Sequence, residues 1–383
     1  MKLEKSATAP GRRLDLNAWA MAGVLAAMWL VLALLPATSG VFLSRINLGN
    51  LLAQSSVLLV ISVGMTMAIV IRGIDLSVGA GVALIAVVTA LAHRDLGLPV
   101  PVAIGVALAC GAAIGAWHGL WVGWLGVPAF VVTLAGFKAY RGGALVVSHA
   151  SAVSVGRDFT WLNSHVPAGA TWALVGATLS VGLALVVREA TRRKQLGLPA
   201  LTTKVVAIRS ACQIVVAGCV LALFGDTGIP VVVLVAAAVA LWGSFMLKRT
   251  RFGRHVYAIG GNPEAARLSG VNVRRVTLAV YAILGVLTAV GAVLSLGRIG
   301  SATPGSDGTL LELDAITAVV IGGASLSGGR GTVVGTVLGT LVFATLGNSM
   351  TLLHIDSNWQ LIFTGLVLLV AVLVDVVAKG KRS

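Results

Sequence analysis

Charge is scarce in this chain. Asp, Glu, Lys and Arg make up 11% of its 383 residues, against roughly 25% in a soluble globule, and that deficit excludes a water-soluble domain. Acids are scarcer still, 13 against 28 Lys and Arg. Cysteine is nearly absent: Cys110, Cys212 and Cys219 form no metal-binding spacing and read as packing residues inside apolar runs. No Gly-x4-Gly-Lys-[Ser/Thr] phosphate loop occurs, so the chain does not itself hydrolyse nucleotide in that manner. No His-Glu-x-x-His pair occurs either. Gly323-Ala324-Ser325-Leu326 approaches a serine-protease Gly-x-Ser-Gly, but Leu326 stands in place of the final glycine. Nucleophilic catalysis needs a base held against the serine; His354, the obvious partner, falls in an outer loop, and nothing in the sequence argues for such contact. No catalytic residue, resident cofactor or metal is expected.

Apolar sequence is what the chain has in abundance, with 57% hydrophobic residues and a mean hydropathy of +0.98. Runs of about 20 apolar residues recur, the length that crosses about 30 Å of hydrocarbon as helix. Lipid offers the backbone no hydrogen-bond partner, so helices are the spanning form. The expected fold is all-α: a polytopic membrane protein of about 10–12 spans, some broken or re-entrant. The runs lie near 18–36, 50–71, 76–92, 99–117, 128–148, 171–187, 205–224, 229–247, 276–297, 313–328, 331–353 and 358–377. One transmembrane domain at 18–378 is expected between short cytoplasmic tails, 1–17 and 379–383.

The +15 charge follows this topology. With the N-terminus inside, cytoplasmic segments hold 21 Lys and Arg, whereas outside segments hold Arg45, Arg94, Arg157 and Arg298. That asymmetry is the positive-inside rule, and it leaves no basic face to assign to nucleic acid. The first apolar run, 18–35, is longer than the 7–15 residues of a signal-peptide core, and Pro36-Ala37-Thr38-Ser39 is a poor cleavage site, so it reads as a retained helix.

Glycine, 47 residues, is the second theme. Gly111, Gly115, Gly119 and Gly123 fall every fourth residue, as do Gly331, Gly335 and Gly339. Small residues on one face let helices approach closely in lipid, and one ladder per half hints at an internal repeat. Two breaks interrupt the apolar runs: Arg72-Gly73-Ile74-Asp75-Leu76-Ser77-Val78-Gly79, and the region from Leu313-Asp314 to Gly328-Gly329. Asp75 and Asp314 read either as caps at span ends or as the mouths of a pathway between helices. Lys138 and Arg141 read either as part of that pathway or as snorkelling side chains.

The longest basic loop, 248–275, holds Asn262-Pro263-Glu264-Ala265-Ala266-Arg267-Leu268-Ser269-Gly270. Asn262 can cap a helix with Pro263 at its first position, Glu264 at its positive end, and Gly270 at its left-handed terminus. About seven helical residues are not stable alone in water. The segment is therefore either an interfacial connector or a docking element. Twelve spans also suit a major-facilitator carrier, but that fold's Gly-x3-Asp-[Arg/Lys]-x-Gly-[Arg/Lys]-[Arg/Lys] loop is missing after span two. Ion-coupled carriers place carboxylates in mid-span, and here the acids gather at span ends. An ion-coupled secondary transporter of a small polar solute is the alternative.

Glu264-Ala265-Ala266-x3-Gly270 resembles the Glu-Ala-Ala-x3-Gly coupling loop of bacterial ATP-binding-cassette importer permeases. Gly73-Ile74-Asp75-Leu76-Ser77-Val78-Gly79, Val127-Pro128-Ala129-Phe130-Val131-Val132-Thr133-Leu134-Ala135-Gly136, Tyr257-Ala258-Ile259-Gly260-Gly261-Asn262 and Leu313-Asp314-Ala315-Ile316-x3-Val320-Ile321-Gly322-Gly323 are similar to the ribose/xylose/arabinose branch of those permeases. The insert at 188–246 resembles the longer xylose type, with Gly73 departing from an acidic residue expected there. The resemblance implies a permease homodimer in the bacterial inner membrane, an ATPase dimer using ATP and Mg below it, and a soluble sugar-binding protein above. It implies that Asn262, Glu264, Ala265, Ala266 and Gly270 form the ATPase contact. Asp75, Ser77, Thr133 and Asp314 are the candidates for the translocation pathway.

Overall fold

A computed structural model describes residues 10–197 and 203–380; the expected tails at 1–17 and 379–383 fall largely outside the described residues. The chain is built almost wholly of helices: α1 (Pro10–Leu34), α2 (Arg45–Val70), α3 (Val78–Arg94), α4 (Val100–Gly123), α5 (Ala129–Val147), α6 (Ala168–Gln195), α7 (Thr203–Phe224), α8 (Val231–Arg249), α9 (Arg251–Gly261), α10 (Pro263–Leu268), α11 (Val273–Ile299), α12 (Leu311–Ile321), α13 (Val333–Leu352) and α14 (Ser357–Gly380). Among the described residues, strand is limited to one antiparallel pair, Val153–Ser154 with Ser301–Ala302. Nine helices among the described residues are long and apolar enough to cross a membrane: α2, α4–α8, α11, α13 and α14. The apolar part of α1, Trp19–Leu34, and the 17-residue α3 are shorter. The fold is that of a polytopic helical membrane protein.

Two helices form the axis. α2 and α11 are mostly buried along their apolar windows and pack on each other. Most polar residues inside α2 survive because their hydroxyls find partners, as buried groups generally must, although the buried Ser62 Oγ has none. Ser56 Oγ donates to Leu52 O at 2.8 Å and Thr66 Oγ1 to Ser62 O at 2.7 Å. Thr66 also meets Thr336 of α13 at 2.6 Å. By contrast α7 and α14 bury none of their apolar windows. A helix that stays apolar on its outer face suits lipid or a second protein surface.

The glycines decide how closely the helices pack. Gly111, Gly115, Gly119 and Gly123 of α4 all face α11. A Cβ at Gly111 would meet the Gly285 carbonyl oxygen, one at Gly119 would lie 2.6 Å from Leu278 Cα, and one at Gly123 would lie 3.0 Å from Arg274 O. Gly285 reciprocates from α11 against Gly111 and Gly115.

The second ladder is divided. Gly335 and Gly339 pack α13 on α12, against Gly322 and Ala318, but Gly331 precedes α13 in an extended loop at φ 152°. The run expected at 313–328 is likewise not a full span. α12 ends at Ile321 after 11 residues, about 16 Å of helix. Beyond it Gly323, Gly328 and Gly329 take positive φ of 87°, 82° and 72°, where helix cannot continue. The break is filled by protein, since Gly329 N–H donates to Val70 O at 2.8 Å.

Candidate functional site

At the basic pole, α8 hands over to two short helices. Thr250 caps α9, its Oγ1 accepting Gly253 N–H at 3.2 Å while donating to Met246 O at 2.6 Å. α9 buries Gly253, Val256, Ile259 and Gly260, an i, i+3, i+4 spacing that holds one face on the bundle. Asn262 then stops α9 and starts α10: its Oδ1 accepts both Glu264 N–H and Ala265 N–H at 3.0 Å, with Pro263 at the first position. Gly270, at φ 83°, closes α10 as Val271 N–H reaches Ala266 O at 3.0 Å.

This geometry sorts the residues of the segment. Ala266 points inward at 4% exposure and seats the helix. Glu264, Ala265 and Gly270 are exposed. So is Leu268 at 78%, a large apolar side chain presented outward. Glu264 pairs with Arg267 at 2.7 Å, and that guanidinium holds the Glu264 carboxyl below its ordinary range. The arrangement is a rigidly capped, six-residue helix offering a mixed acidic and apolar face.

Near the opposite pole, two adjoining cavities of about 500 Å³ each share Thr309, Asp314, Phe343, Gly347 and Gln360. Gln54, Ser295, Arg298 and Asn348 complete the more polar one. Asn348 is held there by an amide pair with Asn47, 2.9 and 3.0 Å in the two directions. Hydroxyl, amide and charged groups on several helices suit a polyol solute. Polar groups at membrane depth also require water or protein over them.

Asp314 lies on this cavity, whereas Asp75, Ser77 and Thr133 do not; they are buried together beside the break between α2 and α3. Asp75 Oδ1 accepts Ser77 N–H at 2.8 Å and Ser77 Oγ–H at 2.6 Å. Its Oδ2 lies 3.3 Å from His118 Nδ1, outside hydrogen-bond geometry. His118 Nε2 meets the Tyr140 hydroxyl at 2.9 Å. Thr133 Oγ1 bonds Ala129 O at 3.0 Å, with Ile74 O at 3.3 Å. Asp75 thus caps the broken backbone and also faces a buried imidazole. Arg141 is committed to the 303–310 loop, donating to Pro304 O at 2.7 Å and Asp307 O at 2.9 Å. Lys138 remains exposed.

Sequence reasoning did not single out His118, Asn348, Leu268 or Arg72. Arg72 donates from Nε to Gly260 O at 2.8 Å and from Nη2 to Gly261 O at 2.6 Å. Its positive φ of 68°, rare outside glycine, has no signature in sequence.

Comparison with known proteins places this architecture. The family described as "Branched-chain amino acid transport system / permease component" matches residues 47–372. The xylose transport system permease protein of Escherichia coli (strain K12) is 42% identical over 352 residues, covering 90% of this chain and 88% of the relative. Its counterpart in Haemophilus influenzae is 40% identical over 349 residues, covering 90% and 92%. The ribose import permease protein of Escherichia coli (strain K12) is 36% identical over 371 residues, covering 96% and 98%. No solved structure matches the chain. Because the match runs from α2 into α14 and takes in both helix breaks and the capped α10, the chain belongs to this family of transport-system permease components.

Proposed function

We propose that this chain is the membrane permease subunit of an ATP-driven importer of xylose or a related monosaccharide. It receives sugar from a soluble extracytoplasmic binding protein and releases it to the cytoplasm. The single observation carrying the ATP-driven reading is α10: a short helix, capped at both ends and fixed through α9, whose exposed face includes Glu264, Ala265, Leu268 and Gly270. A membrane carrier driven by its own ion gradient has no need of such a face. A separate ATPase docks there, and ATP with Mg acts on that partner. The ATPase drives transport only if its ATP-bound form prefers one state of the permease over the other.

Two copies of the chain enclose the path, in the inner membrane with both termini cytoplasmic. The polar cavity around Asp314 and Asn348 supports this reading, because its open side needs a protein or water cover at membrane depth. The test is uptake of radiolabelled xylose into vesicles holding the permease and a co-expressed ATPase, with ATP inside and binding protein outside. The proposal expects uptake that needs all three proteins and ATP. Uptake by the permease alone on a proton or sodium gradient would overturn it.

A further inference from the structure

Three backbone segments meet at one point beneath the bundle. The first is the end of α2, where the helix gives way to the break carrying Asp75. The second is the end of α9, directly before the Asn262 cap of α10. The third is the 323–332 loop between α12, which carries Asp314, and α13, which carries Asn348.

They are in backbone contact. A Cβ on Gly260 would strike Val70 O and would lie 2.5 Å from Gly329 N. A Cβ on Gly328 would strike the Arg72 side chain and would lie 3.0 Å from both Gly260 O and Val70 O. Tyr257 of α9 donates to Gly331 O at 2.7 Å, binding α9 to the same loop.

Arg72 spans this junction with two side-chain bonds. Its guanidinium takes the last two carbonyls of α9, 2.8 and 2.6 Å away. Those carbonyls lack helical partners and sit at the negative end of the helix dipole, where a cation is favoured. The rigid fork fixes direction as well as distance, which a single ammonium cannot do. Its own backbone is held left-handed, so the contact is maintained against local preference.

We infer that Arg72 is the pin that passes a displacement of α10 to both helix breaks at once, the one at Asp75 and the one joining the Asp314 and Asn348 helices. Arg72 is then a positioning residue: it touches neither sugar nor nucleotide, and acts by making α9, α2 and the 323–332 loop move together. The inference rests on the ATP-driven reading above for its transport consequence, and on the permease alone for its mechanical one.

The test has two arms and three variants, Arg72→Gln, Arg72→Lys and, as a control for charge at the same pole, Arg251→Gln. In the first arm the permease alone carries spin labels at Leu268→Cys and Arg330→Cys, with Cys110, Cys212 and Cys219 replaced by alanine. Arg72→Gln is expected to broaden the label-to-label distance distribution, and Arg251→Gln to leave it narrow. In the second arm the assembled importer is measured in vesicles. Arg72→Gln is expected to retain the ATPase and its basal hydrolysis while uptake per ATP falls about tenfold, with Arg72→Lys in between. An unchanged distribution in Arg72→Gln, or unchanged uptake per ATP with the ATPase bound, overturns the pin. If the unmodified permease retains no ATPase, the importer reading fails, and the distance arm alone decides whether the three segments are pinned.

Discussion

Gly115→Ala isolates the contact that sets the distance between α4 and α11. A Cβ built on Gly115 lies 2.8 Å from both Ala282 Cα and Tyr281 C, with the Tyr281 carbonyl oxygen closer still. Ordinary carbon contacts lie at about 3.5–4.0 Å, so the helices must part by about 1 Å. Both contacts are backbone, which cannot swing aside as a long side chain would. Over-packing of this kind costs about 1–3 kcal/mol. The loss propagates, because Gly111 and Gly119 meet the same helix and Tyr281, fully buried on α11, stacks edge-on against His118 of α4. The assay is thermal unfolding of the detergent-solubilised permease, with Gly105→Ala as comparison. Gly105 lies on the same helix with open space where its Cβ would be. Gly115→Ala should lower the midpoint by a few degrees and Gly105→Ala should leave it unchanged or raise it. Equal midpoints for the two variants would refute the packing argument.

Other outcomes follow from the two poles. Asn348→Ala leaves the Asn47 side-chain carbonyl without its partner, a loss of about 1–3 kcal/mol readable in the same unfolding assay; an unchanged midpoint would contradict it. Asp314→Asn keeps the volume of the cavity wall but replaces its ionisable carboxyl with an amide, and should cut uptake severalfold with the protein still in the membrane. Unchanged uptake would remove Asp314 from the path. The Glu264 carboxyl, held below its ordinary value of 4.5 by Arg267, keeps its ion pair from neutral pH down past 4.5 and loses it only as pH falls through the depressed value. Carbon-13 NMR of labelled glutamate should give Glu264 a midpoint below 4.5, and a midpoint above it would show the pair is not formed.

Much of the architecture is legible in the sequence because it depends on hydropathy and length alone. The apolar runs at 205–224 and 358–377 appear as α7 and α14 within a few residues. What was not legible depends on contact between distant segments. The run at 313–328 has the hydropathy of a span, yet stops at Ile321 because Gly322 lies against Gly335 and the following glycines turn away in left-handed backbone. The loop at 248–275 showed its capped α10 through Asn262, Pro263 and Gly270, local signals all. It did not show α9, whose Gly260 and Tyr257 matter only once Val70 and the backbone of Gly329 and Gly331 are beside them. His118 and Asp75 are 43 residues apart in a featureless apolar setting, and no spacing rule joins them. Gly331 looked like a rung of a helical ladder by its spacing, but its neighbours place it before the helix.

The most direct test of the central claim, an ATP-driven permease that couples through α10, is purification of the intact chain in mild detergent from its native membrane. Leu268→Glu is the companion variant, because Leu268 is 78% exposed. The account predicts that an ATPase co-purifies with the parent chain, and that Leu268→Glu loses it while retaining the parent's unfolding midpoint. A parent chain that emerges without an ATPase from several mild detergents, and that moves sugar on an ion gradient alone, would contradict the account.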